Sequence, residues 1–135
     1  MNFDIPFSGR GHAYTDEELS TIIRVARDAV PLTQGSYQTA FESDFSKYVG
    51  GSYAFAMSNA TAALEVAGQL CRFSPGDEII IPSHTFTASA YPFLKHGATP
   101  VWADIDPTTR VATVGTIRAC LTERTRAIVV VHLYG

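Results

Sequence analysis

Tyr53-Ala54-Phe55-Ala56-Met57-Ser58-Asn59-Ala60-Thr61-Ala62-Ala63 is the stretch on which the reading of this chain turns. A five-residue apolar run stops at two small polar residues and an alanine-rich run follows, the pattern of a strand feeding the N-terminus of a helix. The first N–H groups of a helix have no partner within it and carry the positive end of its dipole, so small side chains there let an anion approach. A phosphate group suits that junction. Ser58 or Asn59 acting as an ordinary N-cap explains the same residues, and taken alone the stretch favours that plainer account.

Outward from this junction the chain alternates. Downstream, a helix over residues 61–73 meets the turn Ser74-Pro75-Gly76-Asp77, and Glu78-Ile79-Ile80-Ile81-Pro82 has the β-branched run of a buried strand. Ser83-His84-Thr85 caps a helix reaching about His96, Gly97 stops it, and Thr99-Pro100-Val101-Trp102-Ala103 reads as the next strand. A short helix over residues 113–121 precedes Arg126-Ala127-Ile128-Val129-Val130-Val131-His132, an apolar run expected to be buried on both faces. Upstream, Thr15-Asp16-Glu17-Glu18 is a capping box opening a helix that ends near Pro31. Tyr37, Phe41, Phe45 and Tyr48 then give a second helix an aromatic face, expected to be core, that closes at Gly50-Gly51.

Strands joined by crossovers of roughly 15 to 25 residues run parallel, so the fold class is α/β, a three-layer mostly parallel sheet with helices on both faces. The expected organisation is an N-terminal helical segment, residues 1–52, followed by the sheet over residues 53–135. Ligands gather at the carboxyl ends of strands in such sheets, and residues 58–61, 83–86 and 132–135 all fall at such ends. That convergence strengthens the phosphate reading.

The totals bound the function. Of 135 residues, 46% are hydrophobic and 17% charged, which fits one globular unit rather than a disordered chain. A formal charge of −3, with no cluster among the ten Lys and Arg, excludes the basic field that nucleic acid requires. Cys71 and Cys120 are too far apart for metal spacing or a disulfide framework and read as packed thiols. Met1-Asn2-Phe3-Asp4-Ile5-Pro6 lacks a basic start and an apolar core, and no apolar run approaches the roughly 20 residues of a membrane span, so a cytoplasmic location is expected.

No GxGxxG and no GxxxxGK[ST] occurs, so a Rossmann-like nucleotide-binding domain has only the alternation of elements in its favour. Phe86, following a strand end, can stack on a flat ring or pack into the core with equal ease. His84 and His132 stand at strand ends, where an imidazole can move protons, but a lone histidine is more often structural. Asp77, Asp104 and Asp106 sit beside turn residues and are expected to accept from nearby backbone N–H groups. Lys47 and Lys95, the only lysines, lie on helix surfaces without the context of a Schiff-base lysine, and no catalytic residue or metal ligand is nominated.

Taken together, Leu32-Thr33-Gln34-Gly35 with Phe41-Glu42, Ser58-Asn59-Ala60-Thr61-Ala62-Ala63-Leu64, Pro75-Gly76-Asp77-Glu78-Ile79-Ile80-Ile81-Pro82-Ser83, Thr85-Phe86-Thr87-Ala88, Gly97-Ala98-Thr99-Pro100-Val101, Asp104-Ile105-Asp106, residues 122–128 and Val131-His132-Leu133-Tyr134-Gly135 are colinear over nearly the whole chain. In that order they resemble the N-terminal portion of the DegT/DnrJ/EryC1/StrS family, the pyridoxal-phosphate-dependent sugar aminotransferases of fold type I. The resemblance implies that Ala60 and Thr61 hold the phosphate of pyridoxal 5'-phosphate and that Phe86 stacks on its ring. It also implies that Leu32, Thr33 and Gln34 contact a nucleotide-linked keto-deoxy sugar, that glutamate or glutamine donates the amino group, and that the enzyme is a homodimer.

The same resemblance marks what this sequence lacks. Family chains are close to three times as long, and the aldimine lysine and the acidic partner of the ring nitrogen come after the point reached by Gly135. The expectation is therefore a fragment that does not turn over alone. Related members carry histidine in place of the lysine and dehydrate the sugar, a distinction that also lies downstream. A non-catalytic half-domain that binds a phosphorylated ligand or docks onto a longer partner is the alternative from another functional class.

Overall fold

A computed structural model describes residues 13–133, so Met1 to Pro6 and the Tyr134-Gly135 end of the last motif lie outside the described residues. The chain divides into two compact units, one running to Ala56 and the other starting at Met57. Among the described residues no helix is long and apolar enough to cross a membrane.

The first unit contains α1 (Asp16–Asp28) and α2 (Ser36–Val49). The capping box forms as expected: Thr15 Oγ1 accepts from Glu18 N–H at 3.2 Å, and Glu18 Oε2 accepts from Thr15 N–H at 2.7 Å. Gly50, at φ 70°, ends α2 in the left-handed conformation that suits a residue without Cβ. The aromatic face of α2 corrects the expectation of a core. Phe41 and Phe45 are 59% and 48% exposed and touch each other edge-tilted at 5.9 Å, and neither helix has a buried residue. Two helices alone cannot enclose a side chain, which takes a second layer on the apolar face.

The predicted strand over residues 53–57 is also corrected. This segment has no regular secondary structure and belongs to no sheet among the described residues, and Tyr53 and Phe55 are exposed. The N–H of Ala56 donates to Glu42 Oε1 at 2.8 Å, so a helix side chain takes the bond that a neighbouring strand would need.

The second unit is built on α3 (Ala60–Cys71), β1 (Glu78–Pro82), a 3₁₀ turn over Thr87–Ser89, α4 (Tyr91–Lys95), β2 (Thr99–Ala103), α5 (Val114–Ala119) and β3 (Thr125–Ile128). The sheet order is β2-β1-β3 and all pairs are parallel, with Ile80 opposite Val101 and Ile128. This is the predicted α/β class. Ile79, Ile80 and Ile81 are fully buried, and Ile79 and Ile81 join Ala90, Phe93 and Ala98 in a core that Leu64 and Ala67 of α3 cover.

Three expectations are adjusted here. The single helix from residue 83 to 96 is broken into the 3₁₀ turn and α4, because Pro92 lacks an N–H and fits only a first helical turn. The strand expected over residues 126–132 ends at Ile128, with one further bond from Val129 N–H to the Ile80 carbonyl at 2.8 Å. Pro82, the last residue of β1, has no N–H to return. Burial along this run alternates rather than covering both faces, and Ile128 and Val130 are 44% and 64% exposed. Cys71 is exposed rather than packed, standing in the last turn of α3 with no described element over it.

Candidate functional site

The start of α3 has the chemistry its sequence suggests. Asn59 is the N-cap, its Oδ1 accepting from Ala62 N–H at 2.9 Å, while its carbonyl accepts from Ala63 N–H at 3.3 Å. Those two bonds leave the N–H groups of Ala60 and Thr61 without a partner among the described residues. Both residues are exposed, and Thr61 adds a hydroxyl to the same turn of the helix. Two N–H groups at the positive end of a twelve-residue helix are thus left open to a hydrogen-bond acceptor.

Phe86 caps the 3₁₀ turn from an extended backbone and is 75% exposed, which decides the open choice between core and surface in favour of an available ring face. Its carbonyl accepts from Ser89 N–H at 2.9 Å, and Thr85 Oγ1 donates to Ser89 Oγ at 2.7 Å, closing a tight turn around it. That turn packs against α3. The structure thus brings the Phe86 segment onto the same helix that presents Ala60 and Thr61.

Leu32, Thr33 and Gln34 line a concavity of about 660 Å³ within the first unit, between the end of α1 and the start of α2. Gln34 takes φ 55°, and a Cβ on Gly35 would lie 3.0 Å from the Pro31 carbonyl oxygen, so the backbone turns too sharply for a side chain there. Leu32 is 73% exposed. The concavity has a mixed polar and apolar lining, with Leu32 beside the polar Thr33 and Gln34.

The remaining candidates take structural roles. Asp77 Oδ2 accepts from Ser74 N–H at 2.8 Å, Asp104 Oδ1 from Ile105 N–H at 2.8 Å, and Asp106 Oδ1 from Thr108 and Thr109 N–H at 2.9 and 2.8 Å. These donors hold Asp77 and Asp106 below the usual carboxylate range, with Arg126 a further cause at Asp77. His84 Nδ1 lies 3.4 Å from the Arg110 carbonyl oxygen, and His132 is exposed. Among the described residues no three His, Cys, Asp or Glu side chains are grouped for a metal ion.

One cluster went unread in the sequence. Glu65 Oε1, on α3, accepts from Lys95 Nζ at 2.7 Å and His96 Nε2 at 3.0 Å, both at the end of α4. Lys95 foremost, and His96 after it, hold the Glu65 carboxyl below its ordinary range, and Glu65 raises Lys95 in return. Thirty residues separate the partners, and no local spacing signals such a pair.

Residues 13–135 match the profile of the DegT/DnrJ/EryC1/StrS aminotransferase family. The GDP-perosamine synthase of Caulobacter vibrioides is 44% identical over 101 residues, covering 75% of this chain and 27% of that protein. The L-glutamine:scyllo-inosose aminotransferase of Streptomyces griseus is 41% identical over 100 residues, covering 74% and 24%. The crystal structure of NtdA from Bacillus subtilis with bound cofactor PMP superposes with a TM-score of 0.77 at 34% identity, covering 90% of this chain and 28% of that one. The chain spans about a quarter of the length of these proteins.

Proposed function

The chain belongs to the DegT/DnrJ/EryC1/StrS aminotransferase family, and from that premise we propose that it is part of a pyridoxal-phosphate-dependent aminotransferase acting on a nucleotide-linked keto-deoxy sugar. Its 135 residues correspond to the opening of the large domain, residues 1–52 as the helical segment and residues 53–135 as the start of the sheet. The observation that carries the reading is the pair of unpartnered N–H groups on Ala60 and Thr61, on a helix against which the turn after the exposed Phe86 packs.

The residues fit the group. Ala60 and Thr61 N–H and the Thr61 hydroxyl donate to phosphate oxygens, Asn59 keeps the next N–H occupied, and Phe86 offers its face to the ring. When bound, the pyridine ring supplies the electron sink for amino transfer. Leu32, Thr33 and Gln34 meet the sugar nucleotide, and a homodimer is the working assembly. Glutamine as donor draws support from the name of the Streptomyces griseus relative, and a nucleotide-linked sugar from that of the Caulobacter vibrioides one.

The test incubates the complete gene product with pyridoxal phosphate, L-glutamine or L-glutamate, and either a GDP-linked keto sugar or scyllo-inosose. An amine product from the sugar nucleotide, seen by mass spectrometry, is the expected result. Amination of the cyclitol alone overturns the substrate class, and no amination of either overturns the enzyme reading. The 135-residue chain by itself is expected to retain pyridoxamine 5'-phosphate without transferring an amino group.

A further inference from the structure

Thr61, Glu65 and Gly68 recur at spacings of four and three residues, so they line one face of α3. Contacts at two of them show that this face meets α4. At Gly68 the two helices approach so closely that a Cβ would lie 3.2 Å from the Pro92 carbonyl oxygen and 3.1 Å from His96 Cδ2. One turn nearer the helix start, Glu65 takes both Lys95 and His96 on a single carboxylate oxygen. The close approach sets the separation of the helices, and the two hydrogen bonds to Glu65 set the rotation of α3 about its axis.

Rotation matters because of what each helix carries. The donors of Ala60 and Thr61 lie about 6–7.5 Å along the axis from Glu65 at about 1.5 Å per residue. At the other side, α4 follows the Phe86 turn directly, tied to it by the Ala90 N–H bond to Thr87 at 3.0 Å and the Phe93 N–H bond to Ala90 at 3.1 Å. Glu65 therefore joins the helix whose first N–H groups are open to the helix that follows the Phe86 turn.

We infer that Glu65 is a positioning residue, which through Lys95 and His96 holds the Ala60–Thr61 cup and the Phe86 ring at the separation a phosphorylated pyridine ring requires. It touches no ligand itself. The inference rests on the cofactor reading above. A ligand engaging cup and ring together gains from their being pre-set, whereas a ligand engaging the cup alone does not.

The experiment measures binding to the full chain by calorimetry, with pyridoxamine 5'-phosphate as the two-point probe and inorganic phosphate, by competition, as the one-point probe. Pyridoxamine 5'-phosphate has no aldehyde and forms no adduct with surface lysines. Glu65→Ala is expected to weaken the two-point probe about tenfold and leave inorganic phosphate within twofold. Glu65→Gln, which keeps an acceptor oxygen, should recover most of the loss, and Lys95→Met combined with His96→Asn should reproduce it. An unchanged affinity, or an equal loss for both probes, overturns the positioning role. If Glu65→Ala does not fold, the Gln variant and the Lys95/His96 double variant carry the same comparison, and equal losses there overturn it too. Thr61→Ala separates the two readings: loss of both probes with an inert Glu65 leaves the cup standing and removes the positioning role. No effect of Thr61→Ala, or no binding by the unaltered chain, removes the cup and the positioning role with it.

Discussion

Thr61 and Phe86 call for different measurements because their side chains are placed differently. The Thr61 hydroxyl makes no bond within the described structure, so Thr61→Ala leaves stability within about 0.5 kcal/mol and weakens pyridoxamine 5'-phosphate by about 1–2 kcal/mol, the worth of one bond to a charged oxygen. Phe86 is mostly exposed, so its truncation opens no cavity. Phe86→Ala should leave the thermal midpoint unmoved and reduce the same affinity by about 0.5–1.5 kcal/mol. A lower midpoint would place the ring in packing rather than in binding. The Asn59 cap and the open N–H groups of Ala60 and Thr61 were legible because a cap followed by small residues is a local feature. Phe86 was legible only as a choice between two roles, since exposure depends on what surrounds it.

At the scale of elements, the α3–α4 contact and the start of β1 carry opposite kinds of risk. Gly68→Ala adds a methyl against backbone of Pro92, which cannot swing aside, and should destabilise by about 1–3 kcal/mol in urea unfolding. A neutral result would show that α4 shifts freely. Glu78, 5% exposed at the first position of β1, accepts from the Thr122 hydroxyl and pairs with Arg124, whose Nε lies 2.8 Å from Oε1. The Thr122 bond first, and Arg124 after it, lower the Glu78 carboxyl from its ordinary value. A lowered folded-state value contributes stability that is complete above the unfolded value of about 4.3 and is lost as pH falls through the folded one. The thermal midpoint should therefore fall on acidification below about pH 4.3, and Glu78→Gln should flatten that limb while leaving its slope at neutral pH unchanged. Helix boundaries were readable where chemistry is local, at Thr15, Gly50 and Gly97. The break before α4 follows from Pro92, a signal present in the sequence and outweighed there by the cap-like Ser83-His84-Thr85.

For the whole molecule the open faces decide behaviour. In the first unit Phe41 and Phe45 on α2 stand exposed, and in the second so do Ile128 of β3 and Val130 just past it, at a sheet of three strands among the described residues. The isolated chain should bind a hydrophobic dye and elute above its 14.6 kDa mass. Phe41→Ser with Phe45→Ser should lower dye binding without lowering the thermal midpoint, and an unchanged dye signal would assign the patch elsewhere. The sequence by itself determined the α/β alternation, the parallel pairing, the caps and the run of motifs that mark the family, because each depends on residues within one or two turns or on short connections. Only the tertiary structure decided that residues 53–57 join no described sheet, that the aromatic face of α2 is open, that Phe86 shows its ring, and that Glu65 meets Lys95 and His96. Each of these depends on which partners lie across space, and spacing along a chain does not encode that. The start of α3 belongs to both: its open donors are set locally by the Asn59 cap, and only the tertiary fold packs the turn after Phe86 on the same helix.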